Sequence, residues 1–201
     1  MKHAGHLGLA GLAAVAAIGL TATSASAATT TIRSGSATGA AYSGSVTAAL
    51  DGSATVTTSA GSGSCTGSTL GGTTTSAGAQ SYSSATFTSC SSATITAQSL
   101  PWSGTITYNP VSGGKDGDVT VNVSIKAVVS ILTCNYGGTL TGSFYNPDNS
   151  ARPDTSAGQA QIQFTSASVP LTSGFLCPSS ASLTALYQLT GASGASLWAT
   201  S

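Results

Sequence analysis

The chain has 201 residues, and only 5% of them are charged, against about 25% in ordinary globular domains. Five Lys and Arg balance five Asp, Glu is absent, and 35 Ser and 31 Thr stand where charge is usually found. Phosphate binding needs clustered Lys or Arg, so nucleic acid is excluded as a partner.

The N-terminus reads as a leader. A short basic start carrying His3 and His6 precedes a continuous apolar or Gly/Ala run from Leu7 to Leu20. Ala25-Ser26-Ala27 then supplies a small-x-small exit. This is the pattern of a secretory signal peptide over 1–27, cut after Ala27. The run is shorter than the ~20 apolar residues that cross a bilayer, so no membrane span is expected in the mature chain. No Arg pair precedes it and no Cys follows it, which favours the general secretory route without a lipid anchor.

The chain from Ala28 onward has no His and no Glu. Ser-His-Asp and Cys-His catalysis, and zinc sites built on His, are therefore closed to it. No enzyme activity, cofactor or metal is expected. The segment 28–41 is rich in Thr, Ser and Gly and is predicted to be flexible.

Short β-prone runs follow, separated by Gly and Ser. The predicted strands are Ser45–Leu50, Ala54–Thr58, Ala85–Ser89, Ala93–Gln98, Gly104–Tyr108, Val119–Ile131, Thr139–Tyr145, Gln159–Ser166, Ser182–Leu189 and Ser196–Thr200. Asp51-Gly52 between two such runs predicts a two-residue hairpin turn. The clearest strand is Val119–Ile131. Val119, Val121, Val123, Ile125, Ala127, Val129 and Ile131 share one parity, and Thr120, Asn122, Ser124, Lys126 and Ser130 the other. Such alternation means one buried and one wet face. About ten strands without a helix predict an all-β fold, an antiparallel β-sandwich or partly closed barrel. We expect one domain over 42–201, because no Pro-rich or charged linker divides it. Hydroxyl-rich outer faces leave edge strands poorly guarded, so self-association through an edge is expected to be open to the chain.

Cys65, Cys90, Cys134 and Cys177 form an even set, which in a secreted protein reads as two disulfides. Three pairings exist. An internal echo favours Cys65–Cys90 with Cys134–Cys177. Cys65-Thr66-Gly67-Ser68-Thr69-Leu70 resembles Cys134-Asn135-Tyr136-Gly137-Gly138-Thr139-Leu140. Cys90-Ser91-Ser92-Ala93 likewise resembles Cys177-Pro178-Ser179-Ser180-Ala181. The motif is thus duplicated. No Cys-x-x-Cys pair supports a metal site instead.

Three constellations touch on chemistry, and each reads better as a turn. Ser112-Gly113-Gly114-Lys115 has the Ser-x-x-Lys spacing of a nucleophile motif, but its glycines break the helix that motif needs. Asp154-Thr155-Ser156 and Asp51-Gly52-Ser53 have the form of two halves of a carboxylate dyad. Asp116, Asp118 and Asp148 with Asn146 and Asn149 are oxygen-rich, yet Asp and Asn are also standard turn residues. The aromatic rings remain. Trp102, Tyr108, Tyr136 and Tyr145 are candidate ligand contacts, since exposed rings on β proteins stack sugars or anchor partners.

The cysteine echoes, together with Leu100-Pro101-Trp102, resemble small secreted Ser/Thr/Gly-rich all-β proteins of actinobacteria. The resemblance implies an exported bacterial protein, secreted or at the cell surface, and no catalytic residue. The expected role is binding or assembly, with a cell-wall glycan or another surface protein as partner. A carbohydrate-binding module using Tyr and Trp is one alternative, and an Asp-dependent glycan hydrolase a more distant one.

Overall fold

A computed structural model describes residues 29–201. The leader expected over 1–27, with His3 and His6, lies outside the described residues. Eleven strands follow: β1 (Thr31–Ser34), β2 (Gly44–Thr58), β3 (Gly61–Thr74), β4 (Ala79–Cys90), β5 (Thr94–Ala97), β6 (Trp102–Tyr108), β7 (Gly117–Val129), β8 (Leu132–Tyr145), β9 (Ala160–Ser173), β10 (Ser180–Gly191) and β11 (Leu197–Thr200).

Eight of them close into an antiparallel barrel in the order β7-β6-β4-β3-β2-β10-β9-β8 and back to β7. β6 pairs with the first half of β7, through Gly104↔Val121 to Tyr108↔Gly117. β5 pairs with the second half, through Thr94↔Val128 to Ala97↔Ile125. The two short strands therefore share one side of β7, joined by a bend at Gln98–Pro101. Closure gives the eight strands neighbours on both sides, but β4 meets β6 only through Ala79–Tyr82 and β5 is paired on its β7 side alone, so an edge along Ser83–Cys90 and Thr94–Ala97 keeps unpaired backbone.

The inner and outer faces follow from the period of two. Val119 and Val121 point inward and are buried, whereas Thr120, Asn122 and Ser124 face outward with Thr139 and Thr141 of β8 beside them. Hydroxyls also line the outside of β2 and β3, where Thr55 pairs with Ser64 and Thr57 with Ser62. An apolar interior inside a hydroxyl wall is the reverse of a lipid-facing barrel.

Two sequence expectations fail locally. Asp51-Gly52 does not turn a hairpin. It is a bulge within the 15-residue β2, where register shifts between Ala49 and Ala54 against β3. Gly52 takes φ +75°, the left-handed backbone such a bulge requires, so the residue types suit both structures. The segment 28–41 is not all flexible. It contains β1, which pairs with β11 from Thr31↔Thr200 to Ser34↔Leu197.

This β1–β11 ribbon lies over one end of the barrel and buries Ile32, Leu197 and Ala199 against the core. Asn146, itself buried, ties the ribbon down. Its Nδ2 donates to the Ala199 carbonyl at 3.0 Å, and its Oδ1 accepts from the Ala199 N–H at 2.8 Å. Replacing Asn146 by Ala strands both backbone groups in a dry site. Each buried group left unpaired costs about 1–3 kcal/mol. Urea unfolding of Asn146→Ala is expected to show a loss of about 2 kcal/mol or more; a loss under about 0.5 kcal/mol would contradict the anchoring role.

Candidate functional site: an apolar cup at the open end

The two ends of the barrel differ because the inward residues differ. Toward the β1–β11 ribbon, large side chains fill the interior: Tyr82, Ile106, Phe144, Ile162 and Leu189 are almost completely buried. Toward the other end, inward positions are small, among them Ala54, Gly63, Val123, Ala127 and Ala181. The result is a cup of about 400 Å³. Eight-stranded barrels have an interior that side chains either fill or leave wide enough for one small ligand, and this chain does one at each end.

Leu70, Trp102, Val121, Leu140, Phe164 and Tyr187 form the floor, and Val56, Phe87, Ile95, Ile125 and Leu183 the wall. No Lys, Arg or Asp is among the lining residues. The floor is held rigidly. The Trp102 Nε1 donates to the Gln98 carbonyl at 2.8 Å, which also braces the bend between β5 and β6. Phe164 meets Tyr187 edge to face, with ring centroids 6.4 Å apart and planes at 81°. The Tyr187 hydroxyl donates to Ser68 Oγ at 3.0 Å. Burial pushes the Tyr187 phenol above its ordinary range, and the Ser68 contact only partly offsets this. Burial likewise raises Tyr136 and, more strongly, Tyr82, so all three rings are neutral across physiological pH.

Both disulfides sit at this open end. Cys65–Cys90 links directly paired residues of β3 and β4. Cys134–Cys177 links β8 to the loop between β9 and β10. The pairing favoured by the sequence echo is the one the structure has, and both motifs contribute to one mouth.

The predicted ring set divides. Trp102 and Tyr136 line the cup. Tyr108 lies at the ribbon end, where its N–H donates to Thr30 Oγ1. Tyr145 lies on the outer wall with its hydroxyl toward Gln163. The four therefore make no common stacking platform. The aliphatic half of the lining escaped sequence reasoning. Its one signal was the inward parity of Val123, Ile125 and Ala127, which marks burial but not whether the space beyond is filled.

Ser112 and Lys115 lie in the loop between β6 and β7, not on a helix. Asp116 accepts hydrogen bonds from the Asn146 N–H and the Asn149 Nδ2, so donors rather than vacant oxygens face it. Among the described residues no group of three or more His, Cys or Asp is placed to hold a metal ion. Asp51 and Asp154 do come together on the outer wall, with Gln188 donating to Asp51. Hydrogen bonds from the Ser156 hydroxyl and N–H dominate a downward shift of the Asp154 carboxyl, with a smaller downward contribution from Asp51. A working dyad requires one carboxyl raised so that the pair shares a proton, whereas the Asp154 carboxyl is shifted down.

Lys115 and Asp118 form an ion pair at the ribbon end. Burial pushes the Asp118 carboxyl up, but hydrogen bonds from Lys115 and Asn109 and the Lys115 charge outweigh it, so the net shift is down. A depressed folded-state value stabilises above the unfolded carboxylate range, near pH 4, and the gain is lost as pH falls through the folded value. Lys115→Met should therefore cost about 1 kcal/mol or less at pH 7, and that difference should disappear as the pH falls through the folded-state value. A gap that persists in acid would assign the effect to packing of the Lys stem. Urea midpoints across the pH range read it.

No helix among the described residues is long and apolar enough to cross a membrane. No protein-family model matches the chain, and no curated protein or solved structure matches it either.

Proposed function

We propose that the chain is an exported, non-catalytic binding protein whose barrel takes one uncharged, largely hydrocarbon molecule into the cup. The observation that carries this reading is the cup itself, about 400 Å³ and lined without charge. Small-molecule sites are concave, mostly apolar, usually preformed and about 300–1,000 Å³ in size. Export is supported by the leader pattern over 1–27, by two disulfides, and by the resemblance to secreted Ser/Thr/Gly-rich proteins.

The lining also narrows the ligand. A carboxylate or phosphate buried here would meet no cation, which is prohibitive in a dry site. A glycan would have to leave many hydroxyls unpaired against Val, Ile and Leu, which weighs against the carbohydrate-binding reading. The Tyr187 phenol is taken by Ser68 and the Trp102 indole by Gln98, which leaves the Tyr136 phenol as the polar atom of the deeper wall. A single hydroxyl or carbonyl on the ligand suits it.

The test is a titration of the oxidised protein with the apolar dye N-phenyl-1-naphthylamine. Saturable, blue-shifted emission at one dye per chain, displaced by a long-chain alcohol and not by soluble sugars, is the expected result. Absent or non-saturating emission would overturn the reading. So would retention on chitin, cellulose or peptidoglycan that the dye does not disturb.

A further inference from the structure

We infer that the open end of the barrel docks onto a neutral lipid surface, with two loop tips entering the apolar layer. Four connections surround the mouth: 59–60 between β2 and β3, 91–93 between β4 and β5, 130–131 between β7 and β8, and 174–179 between β9 and β10. None of them contains a charged residue. Two carry large apolar side chains pointing into solvent. Ile131 is 92% exposed at the tip of the β7–β8 hairpin, and Phe175 and Leu176 are 81% and 72% exposed on the β9–β10 loop. Val129 adds a partly exposed neighbour. The Cys134–Cys177 bond ties these two tips together, so the three side chains project as one unit.

The charge distribution selects the occupant. Arg33, Lys115, Asp116, Asp118, Asp148, Arg152 and Asp154 all lie on the ribbon, in the loops of the ribbon end or at a strand start beside it. Asp51 sits at the bulge midway along β2, and Lys126 is the one charge on the upper wall. The molecule is therefore an amphiphile along the barrel axis, charged where it is capped and uncharged where it is open. A protein partner fitted to this end would meet separate protruding tips rather than a flat self-complementary patch. A fluid apolar layer needs no such complementarity, because lipid chains close around each tip. The other two tips present Ser59, Ser91 and Ser92, hydroxyls suited to uncharged or zwitterionic headgroups. With one lysine near the rim, attraction to anionic lipid is not the driving force. The docked mouth would open straight from lipid into the cup, whose lining shares Val129 and Leu176 with the rim, while Ile131 and Phe175 belong to the rim alone.

The experiment is flotation with vesicles of phosphatidylcholine alone, at low and at 1 M salt. It uses the full chain and, in parallel, protein beginning at Ala28, so that the apolar leader is not read as rim binding. Both preparations are expected to float, independently of salt. The double variant Ile131→Ser, Phe175→Ser, at rim residues outside the cup lining, is expected to lose at least tenfold in partition coefficient while keeping its dye titration. Val111→Ser, which removes an exposed apolar side chain at the ribbon end, should change nothing. Wild-type protein starting at Ala28 that stays in the soluble fraction would overturn the docking surface. Binding abolished by salt would overturn it in favour of Lys126. A dimer that the double variant dissociates would instead assign the rim to a second copy. Vesicle binding without dye binding would retire the cup and leave the docking surface standing; dye binding without vesicle binding would do the opposite.

Discussion

Val123→Trp is expected to abolish dye uptake while leaving the barrel folded. Val123 is half-buried, lines the cup, and pairs across the wall with Gly138 of β8. An indole at this position projects into the 400 Å³ space that the ligand would fill. Adding bulk to a close-packed core costs about 1–3 kcal/mol, because neighbours must leave their rotamers. Here the added ring enters space already open, so the stability change should stay below about 1 kcal/mol. Dye affinity should fall at least tenfold, equivalent to about 1.4 kcal/mol of binding. Val128→Trp, five residues along the same strand and on the outer face, is the control. Equal loss in both variants would mean that the dye reads the outer wall rather than the cup. Unaltered affinity in Val123→Trp would remove the cup as its site.

The contrast between the two ends explains what could be read in advance. The alternation of Val119 to Val129 was strong enough to give β7 its face, because one inward methyl-rich residue followed another without interruption. β3 offered no such pattern. Its inward positions include Gly63, Cys65, Ser68 and Gly72, which are small because the cup or the opposing strand needs room, and smallness erases the hydrophobic period. The bulge at Asp51-Gly52 was misread for a related reason. A left-handed Gly after Asp serves a hairpin and a bulge equally, and only the partner strands on both sides decide. The cup was illegible because emptiness is a property of eight inward faces taken together. Trp102 and Tyr136 were singled out from their residue types, yet equally typed Tyr108 and Tyr145 fell at the far end and on the outer wall. The rim was hidden in the same way, since Ile131 continued the inward parity of β7 until the hairpin turned it into solvent. Ser130 takes φ +54° at that turn.

The pairing of the cysteines was legible because the echo placed equivalent residues at one end of the fold, and it leads to the second large effect. Removing the bonds as double Cys→Ala variants releases loops of 25 and 43 residues in the unfolded chain. The chain-entropy relation gives losses of roughly 3.5 and 4 kcal/mol. Either is a large share of the about 5–15 kcal/mol that holds a typical domain together, and losing both should leave the protein largely unfolded at 37 °C. The two single losses are nearly equal in free energy but unequal in consequence. Cys65 and Cys90 already face each other within the β3–β4 ladder, so the native wall survives without the bond. Cys177 belongs to a loop, and Cys134–Cys177 is the covalent tie between that loop and β8. Its removal should lower vesicle partition along with stability, because Phe175 and Leu176 no longer project with Ile131. Removal of Cys65–Cys90 should lower the urea midpoint alone. Equal vesicle partition in the two variants, measured below their unfolding transitions, would show that the rim does not act as one unit.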